Sequence, residues 1–494
     1  STSGIYVNAN NHGRSWERPA SLELVNPDGS VEQFQVDCGV RIRGGASRSD
    51  GNPKHAFRFF FRSEYGDSKL DYPLFGTEGV TSFDKLDIRT AQNYSWSFKT
   101  DSGRQNTFLR EVLGRDLQAQ YGQPHTRSRY YHLYLNGVYW GLFMTQERVG
   151  GDFGESYLGG DEDDFDTVKS AGGSGGYNTE ATDGSIVQGN SSTPGSDWAA
   201  LYYLTRAQKA SPTLARYRQM QGLNPDGSRN PDFPVLLDVD NLIIYSMIIG
   251  YTGNYDGPLS GFVGASNNWY ALRDRVRDDR GFSYFVHDGE HSMGTSEGKG
   301  WSVSNRDRMN TLDGAGSRDT YIKYNPAFVH RDLSESTGDY QLRFADIAQG
   351  ALFDGGALTA ESVHATVNKR HEIVEQVIDA EAARWGDAKR EPARTRNDWN
   401  LAVTELRGII DGRSEELLED LKEANLYPDI APPVFSTKLR RGEPGFPVYL
   451  RNEEGLIYYT LDGTDPRGDN GLPSAGAVSA NGAPIPMEVI RRVD

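Results

Sequence analysis

Phe282-Ser283-Tyr284-Phe285-Val286-His287-Asp288-Gly289-Glu290-His291 is a short apolar strand that breaks into four ionisable side chains within five residues. A strand ending in Asp-Gly-Glu puts hard oxygen ligands where the backbone turns and the sheet opens to ligands. The segment reads as a metal or phosphate station. Upstream lie Asn254-Tyr255-Asp256 and Asn267-Asn268-Trp269-Tyr270, so two polar groups precede the strand at short range. Together they outline a candidate active site. Asp and Gly at a strand end are also ordinary turn chemistry, and either histidine can equally be a partly buried structural one. The rest of the chain has to decide.

At 494 residues the chain is long enough for two to four units, at roughly 100–200 residues per domain. The formal charge is −17, with acidic residues spread along the chain rather than gathered into one tail. Such a field disfavours nucleic acid or anionic membrane as the main partner, because phosphate backbones need clustered Lys and Arg. No apolar run approaches the roughly 20 residues that span a bilayer, and the start Ser1-Thr2-Ser3-Gly4 looks processed. Cys38 is the only cysteine, so neither an intrachain disulfide nor a cysteine-based zinc site can form. The richness in Gly, Tyr and Trp, with many Asn-Gly and Asp-Gly turns, suits a loop-rich extracellular, cell-surface or periplasmic protein.

Residues 1 to about 62 alternate like strands: Ser21–Val25, a turn at Asn26-Pro27-Asp28-Gly29, then Phe34–Arg43. After Gly44-Gly45-Ala46-Ser47-Arg48 comes a further strand, Pro53–Phe61, carrying Lys54. A strand, a small-residue loop with a hydroxyl and an Arg, then a strand with one lysine is a phosphate-covering arrangement or a plain hairpin with surface cations. Phe108–Leu117 has apolar residues at helical spacing. Tyr130–Leu135 and Val138–Glu147 flank Asn136-Gly137, the favoured two-residue hairpin turn. Ala171–Asp197 is rich in Gly, Ser, Thr and Asn and reads as a loop. Helices are expected over Trp198–Ala210 and over Asp238–Gly250, the latter buried and delivering Asn254 and Asp256 from its end. Trp301 and Tyr321, in a polar Gly-rich stretch, are candidates to line a substrate surface. Two long helical patterns, Thr359–Trp385 and Arg396–Leu426, suggest a helical hairpin capping the main domain. Asp429-Ile430-Ala431-Pro432-Pro433 reads as a linker, and alternating strands follow.

These motifs, taken in order, carry a resemblance. Gly39–Arg48 with Pro53-Lys54, Leu109-Arg110-Glu111, Tyr134-Leu135-Asn136-Gly137-Val138-Tyr139-Trp140-Gly141-Leu142, Asn254-Tyr255-Asp256, Asn268-Trp269-Tyr270 and His287-Asp288 together resemble the CotH family of spore-coat-type atypical protein kinases. The likeness runs over about residues 4 to 385. Tyr459-Thr460-Leu461-Asp462-Gly463-Thr464-Asp465-Pro466 resembles the chitobiase-type C-terminal β-sandwich module, which looks cut short at Asp494.

The resemblance implies an α+β fold: an atypical protein-kinase-like catalytic domain with a helical cap over 1–427, followed by a small all-β sandwich-like module over 432–494. Its β-rich N-terminal lobe is expected over about 1–150 and its C-terminal lobe over about 195–427. It implies ATP with Mg²⁺ or Mn²⁺ as cofactor, Ca²⁺ also being possible, and a protein or glycan acceptor. Phosphoryl transfer needs a cation on the phosphates, a metal-binding carboxylate and amide, and a carboxylate near the attacking hydroxyl. Carried onto this chain, Lys54 contacts the phosphates and Ser47 and Arg48 lie in the covering loop. Asp256 orients or deprotonates the acceptor, Asn268 and Asp288 hold metal, and Glu111 is the candidate partner of Lys54. Many relatives carry aromatic-Asp-aromatic-Asp at the metal strand where this chain has His287-Asp288-Gly289-Glu290. Glu290 can still bind a hard cation, whereas His287 and His291 offer a softer ligand set. Two other hypotheses therefore stand beside the kinase: a non-catalytic extracellular scaffold or carbohydrate-associated protein, and a metal-dependent hydrolase using His287, Asp288, Glu290 and His291.

Overall fold

Val36, Cys38 and Ile42 fall on the buried face of one alternating run, and Arg41 and Arg43 on the other. That run, β2 (Phe34–Arg43), pairs antiparallel with β1 (Arg18–Leu24) and with β3 (Ala56–Phe60), where Arg41 sits opposite Arg58 and Ile42 opposite Phe57. One face of the sheet is therefore apolar and the other cationic. A computed structural model of the chain describes residues 3–26, 28–170, 179–181, 197–260, 262, 266–295, 325–435, 448–452, 454–480, 482 and 484–485. Trp301, Tyr321 and most of the 171–197 stretch lie outside them.

A small ladder of β4 (Leu70–Asp71) and β5 (Ser82–Phe83) leads to β6 (Lys85–Arg89), and the hairpin β7 (Tyr130–Leu135) and β8 (Val138–Gln146) completes the sheet. Its order is β1-β2-β3-β6-β8-β7. Asn136 and Gly137 turn the hairpin with φ of 50° and 80°, as their sequence predicts. The apolar face packs Ile42, Phe57, Phe59, Leu86, Ile88 and Phe143 into one core.

Between β6 and β7 lie α1 (Thr100–Gly103) and α2 (Arg110–Gln120). The chain then passes through α3 (Gly151–Leu158) into a second sheet of β9 (Phe165–Ser170), β10 (Thr179–Ala181), β11 (Trp269–Asp274) and β12 (Ser283–Val286), in the order β10-β9-β11-β12. The helices α4 (Asp197–Ala210), α5 (Leu214–Met220) and α6 (Val239–Thr252) lie between β10 and β11 in sequence. Helix α6 is apolar on nearly every side and correspondingly buried. Its start is capped by the Asp238 side chain on Asn241 N at 3.0 Å, and it ends at Gly253 in the left-handed region, φ 61°.

After β12 come α7 (Pro326–Ser334), α8 (Gly338–Leu352), α9 (Ala360–Trp385) and α10 (Arg396–Glu423). The last two pack on each other, α9 also against β8 and α2, and α10 against α6. Val374, Ile378, Trp399 and Leu406 share one core with Leu113 and Ile248, so the long helices are integral to the main body. Downstream, β13 (Val434–Phe435) pairs with β14 (Leu450–Arg451), and β15 (Ile457–Tyr459) with β16 (Val478–Ala480). Two ion pairs tie this region back: Arg467 Nη1 to Asp346 at 2.9 Å and Arg218 to Asp469 at 2.6 Å. The architecture is a mixed α+β one. Among the described residues no helix is long and apolar enough to cross a membrane.

Candidate active site

The outer edge of β12, last in its sheet and buried along its length, is sealed by side-chain amides. Gln118 of α2 donates to Tyr284 O at 2.8 Å and accepts from Val286 N at 2.9 Å, while Asn241 of α6 accepts from Tyr284 N at 2.6 Å. Each amide does the work of a missing neighbouring strand. Gly114 lets α2 come this close, because a Cβ there would meet Val286 Cγ1 at 2.7 Å. The approach carries Glu111, one turn earlier on α2, towards Asp288 just beyond the strand.

Arg89, at the end of β6, joins the two. Its Nη1 donates to Glu111 Oε1 at 2.8 Å and to Gln146 at 3.1 Å, and its Nη2 forms a very short contact with Asp288 Oδ1. Burial alone would raise the Asp288 carboxyl, but Arg89 beside it, helped by His287 and Arg43, holds it well below the usual carboxylate range. Asp288 has φ 53° and Asn268 has φ 45°. Both side chains line one cleft of about 330 Å³, together with Asn11, His12, Arg41, Arg43, Arg48 and Arg58. Left-handed backbone at two non-glycine residues of a cleft is a mark of a functional site, and Asn and Asp tolerate it best.

The cleft is cationic because its carboxylates are outnumbered. Arg43 and Arg58 share Asp87, at 2.6 and 2.5 Å, Arg41 meets Glu17 at 3.1 Å, and Arg48 is held by backbone carbonyls. Burial, then the charges of Arg58, Arg41 and Arg43, pushes the Arg48 guanidinium down to about 10. Such a cluster favours an anion.

Behind Asn268 lies Asp256. It accepts from Asn268 Nδ2 at 2.9 Å, from Asn267 Nδ2 at 3.1 Å and from the Ser260 hydroxyl. Burial pushes its carboxyl up to about 6, with Asp288 adding to the rise and the hydrogen bonds opposing it. Three separate segments are thus linked, 254–256 to 267–268 by hydrogen bonds and 267–268 to 287–288 across the cleft.

Other expectations need correction. Lys54 does not reach the cleft: it is wholly buried, with Nζ on Glu381 Oε1 at 2.6 Å and on Leu142 O at 2.8 Å. Its partner is therefore Glu381 of α9, and Glu111 belongs to Arg89. The reason is that Lys54 precedes β3 and points to the side where α9 crosses β8. Ser47 is buried, and its backbone oxygen takes Asn52 Nδ2 at 3.4 Å and faces His55 Nδ1 at 3.0 Å. Glu290 turns inward to Asn93 Nδ2 at 2.9 Å, and burial, then the charge of Asp288, pushes its carboxyl well above the usual carboxylate range. His287 faces Arg43 and Gln146, whereas His291 faces Tyr94 and Asn93. The His-Asp-Glu-His run splits into two pairs, His287 and Asp288 on the cleft and Glu290 and His291 3.7 Å apart beside Asn93, and among the described residues no three His, Cys, Asp or Glu side chains converge on a metal position.

Sequence reading missed Arg89, Arg43, Arg58 and Glu381. A signal for two of them is present: Arg43 and Arg58 fall on the polar face of strands whose other face is apolar.

The family model described as CotH kinase protein matches residues 40–417, and the chain belongs to this family. A search of curated proteins finds no match.

Proposed function

We propose that the chain is a metal-dependent phosphotransferase that uses ATP and transfers its terminal phosphoryl group to a hydroxyl of a protein or glycan. The observation that carries this reading is the Arg89 bridge: one guanidinium joins Glu111 on a helix to Asp288 at the mouth of an arginine-lined cleft. Protein kinases need a cation paired with a helix glutamate and an aspartate on the metal side. Arg89 takes that place here in our reading, and Lys54 does not.

Arg43 and Arg58 would hold phosphate oxygens as charge-assisted donors. Asp288, through the oxygen that Arg89 leaves uncovered, and the Asn268 side chain would hold Mg²⁺ or Mn²⁺, with Ca²⁺ also accommodated by this oxygen donor set. One carboxylate and one amide fit such an ion, because Mg²⁺ in these sites takes the rest of its shell from phosphates and water. The bound ion would supply neutralisation of charge on the phosphates. Asp256, held by Asn268, would orient the acceptor hydroxyl and take its proton. Arg89, 1% exposed, acts through Asp288 rather than on substrate. We read the site of action as extracellular or at the cell surface, and residues 432–494 as a module of the chitobiase type.

Calorimetric titration of ATP with Mg²⁺ or Mn²⁺, followed by phosphoryl transfer to casein or a glycan, tests the reading. Absence of nucleotide binding at millimolar metal would overturn it. A non-catalytic glycan-binding role draws on the hairpin β7–β8, where Tyr134 is 60% exposed and its ring lies 5.3 Å from that of Tyr139. Glycan binding without nucleotide binding would favour that role.

A further inference from the structure

Residues 5–10 form a run of turns that precedes the family-matched stretch, and Arg48 fastens it. Arg48 Nη1 donates to Ala9 O at 2.8 Å and to Asn11 O at 3.0 Å, and its Nε donates to Gly44 O at 2.5 Å. Ala9 is 2% exposed within the core of the first sheet, and Asn11 N closes a turn on Asn8 O at 2.9 Å. A guanidinium clasped to three carbonyls pins a strap to the Gly44-Gly45 loop while keeping its own charge. Just past the clasp, Asn11, His12 and Gly13 form part of the cleft wall, and His12 is exposed. The lining carries four arginines and one carboxylate, Asp288, so an anion entering it meets the strap as well as the sheet.

We propose that His12 is a substrate-contacting residue: the strap of residues 8–13 places its imidazole to hydrogen-bond the phosphate chain of the nucleotide, and Arg48 is the positioning residue that holds the strap. This rests on the reading of the cleft as a nucleotide site and adds to it a wall from outside the matched stretch. The strap completes the cleft over the Gly44–Arg48 loop, so phosphate affinity depends on a segment that the catalytic groups do not include.

The test uses the full chain, with ATP and inorganic tripolyphosphate as probes in the presence of Mg²⁺. His12→Ala should weaken both by about 10-fold, the loss of one hydrogen bond to a charged oxygen, with an unchanged melting temperature. His12→Gln, which keeps a donor, should recover part of the loss. Arg48→Lys should weaken both probes and speed amide hydrogen exchange at residues 8–13. If His12→Ala binds both probes as the parent does, the strap proposal falls and the phosphotransferase reading stands. Failure of the parent to bind either probe overturns both.

Discussion

Lys54 and Arg89 are both buried cations held by a helix carboxylate, Lys54 by Glu381 and Arg89 by Glu111, yet their surroundings differ in kind. Around Lys54 both oxygens of the carboxylate are engaged: Glu381 Oε1 takes Nζ at 2.6 Å and Oε2 takes Leu142 N at 2.7 Å, with both side chains fully buried. Gly141 belongs to this closure, since at φ 123° it admits α9 where a Cβ would stand 2.6 Å from Glu381 Oε2. Around Arg89 the matching is incomplete. Among the described residues, Arg89 Nε and Glu111 Oε2 have no hydrogen-bond partner, and the Asp288 side chain keeps 27% of its surface open. A saturated ion pair fixes two elements against each other; an unsaturated one, opening on a cleft, keeps capacity for a ligand.

Breaking the closed pair should give the largest effect on stability. Lys54→Ala leaves Glu381 buried and uncompensated, and is expected to cost about 3–5 kcal/mol. Chemical denaturation measures this directly, and a loss under about 1 kcal/mol would show that the pair is not the fastening described. The opposite pattern is expected at the open site. Asp288→Ala should cost less stability than Lys54→Ala, because the buried Arg89 loses one partner but keeps Glu111 and Gln146, while cutting phosphoryl transfer by about 10²–10³-fold, the range for removing one charge-stabilising group. Full activity in that variant would remove Asp288 from the site.

Asp256 provides a pH test of the same contrast. Its folded value, about 6, lies above the ordinary carboxylate value. Its stability contribution is therefore fully present below about pH 3.9 and lost as pH rises through 6. In metal-free protein, Asp256→Asn should match the parent near pH 3.5 and exceed it by about 2–3 kcal/mol at pH 8. Melting series across that range in a chelator decide it, and equal curves at pH 8 would mean that Asp256 is not strained by burial. The smallest change should come from Glu290→Gln. A carboxyl turned inward and pushed towards its protonated form by burial loses little by becoming an amide of the same shape, so stability should shift by less than about 1.5 kcal/mol and metal affinity should hold. A large fall in metal affinity on calorimetry would return Glu290 to the ligand set.

By itself the sequence determined the elements and part of the site. The alternation in Phe34–Arg43, the Asn136-Gly137 turn and the apolar run ahead of Gly253 encode their local structures within a few residues, because side-chain period and backbone preference are local properties. Asp256 and Asn268 lie close in the chain, and Asp288 follows a strand paired with the one that begins after Asn268, so their grouping was within reach. Which cation serves which carboxylate was not. Lys54 finds Glu381 across 327 positions, and Arg89 finds Asp288 across 199. Spacing after a Gly-Gly loop favours Lys54 as the phosphate cation, but only the crossing of α9 over β8 fixes where that side chain points. Periodicity specifies the face on which a residue stands; what stands opposite it is decided by packing of elements remote in sequence, and that exists only in the folded chain.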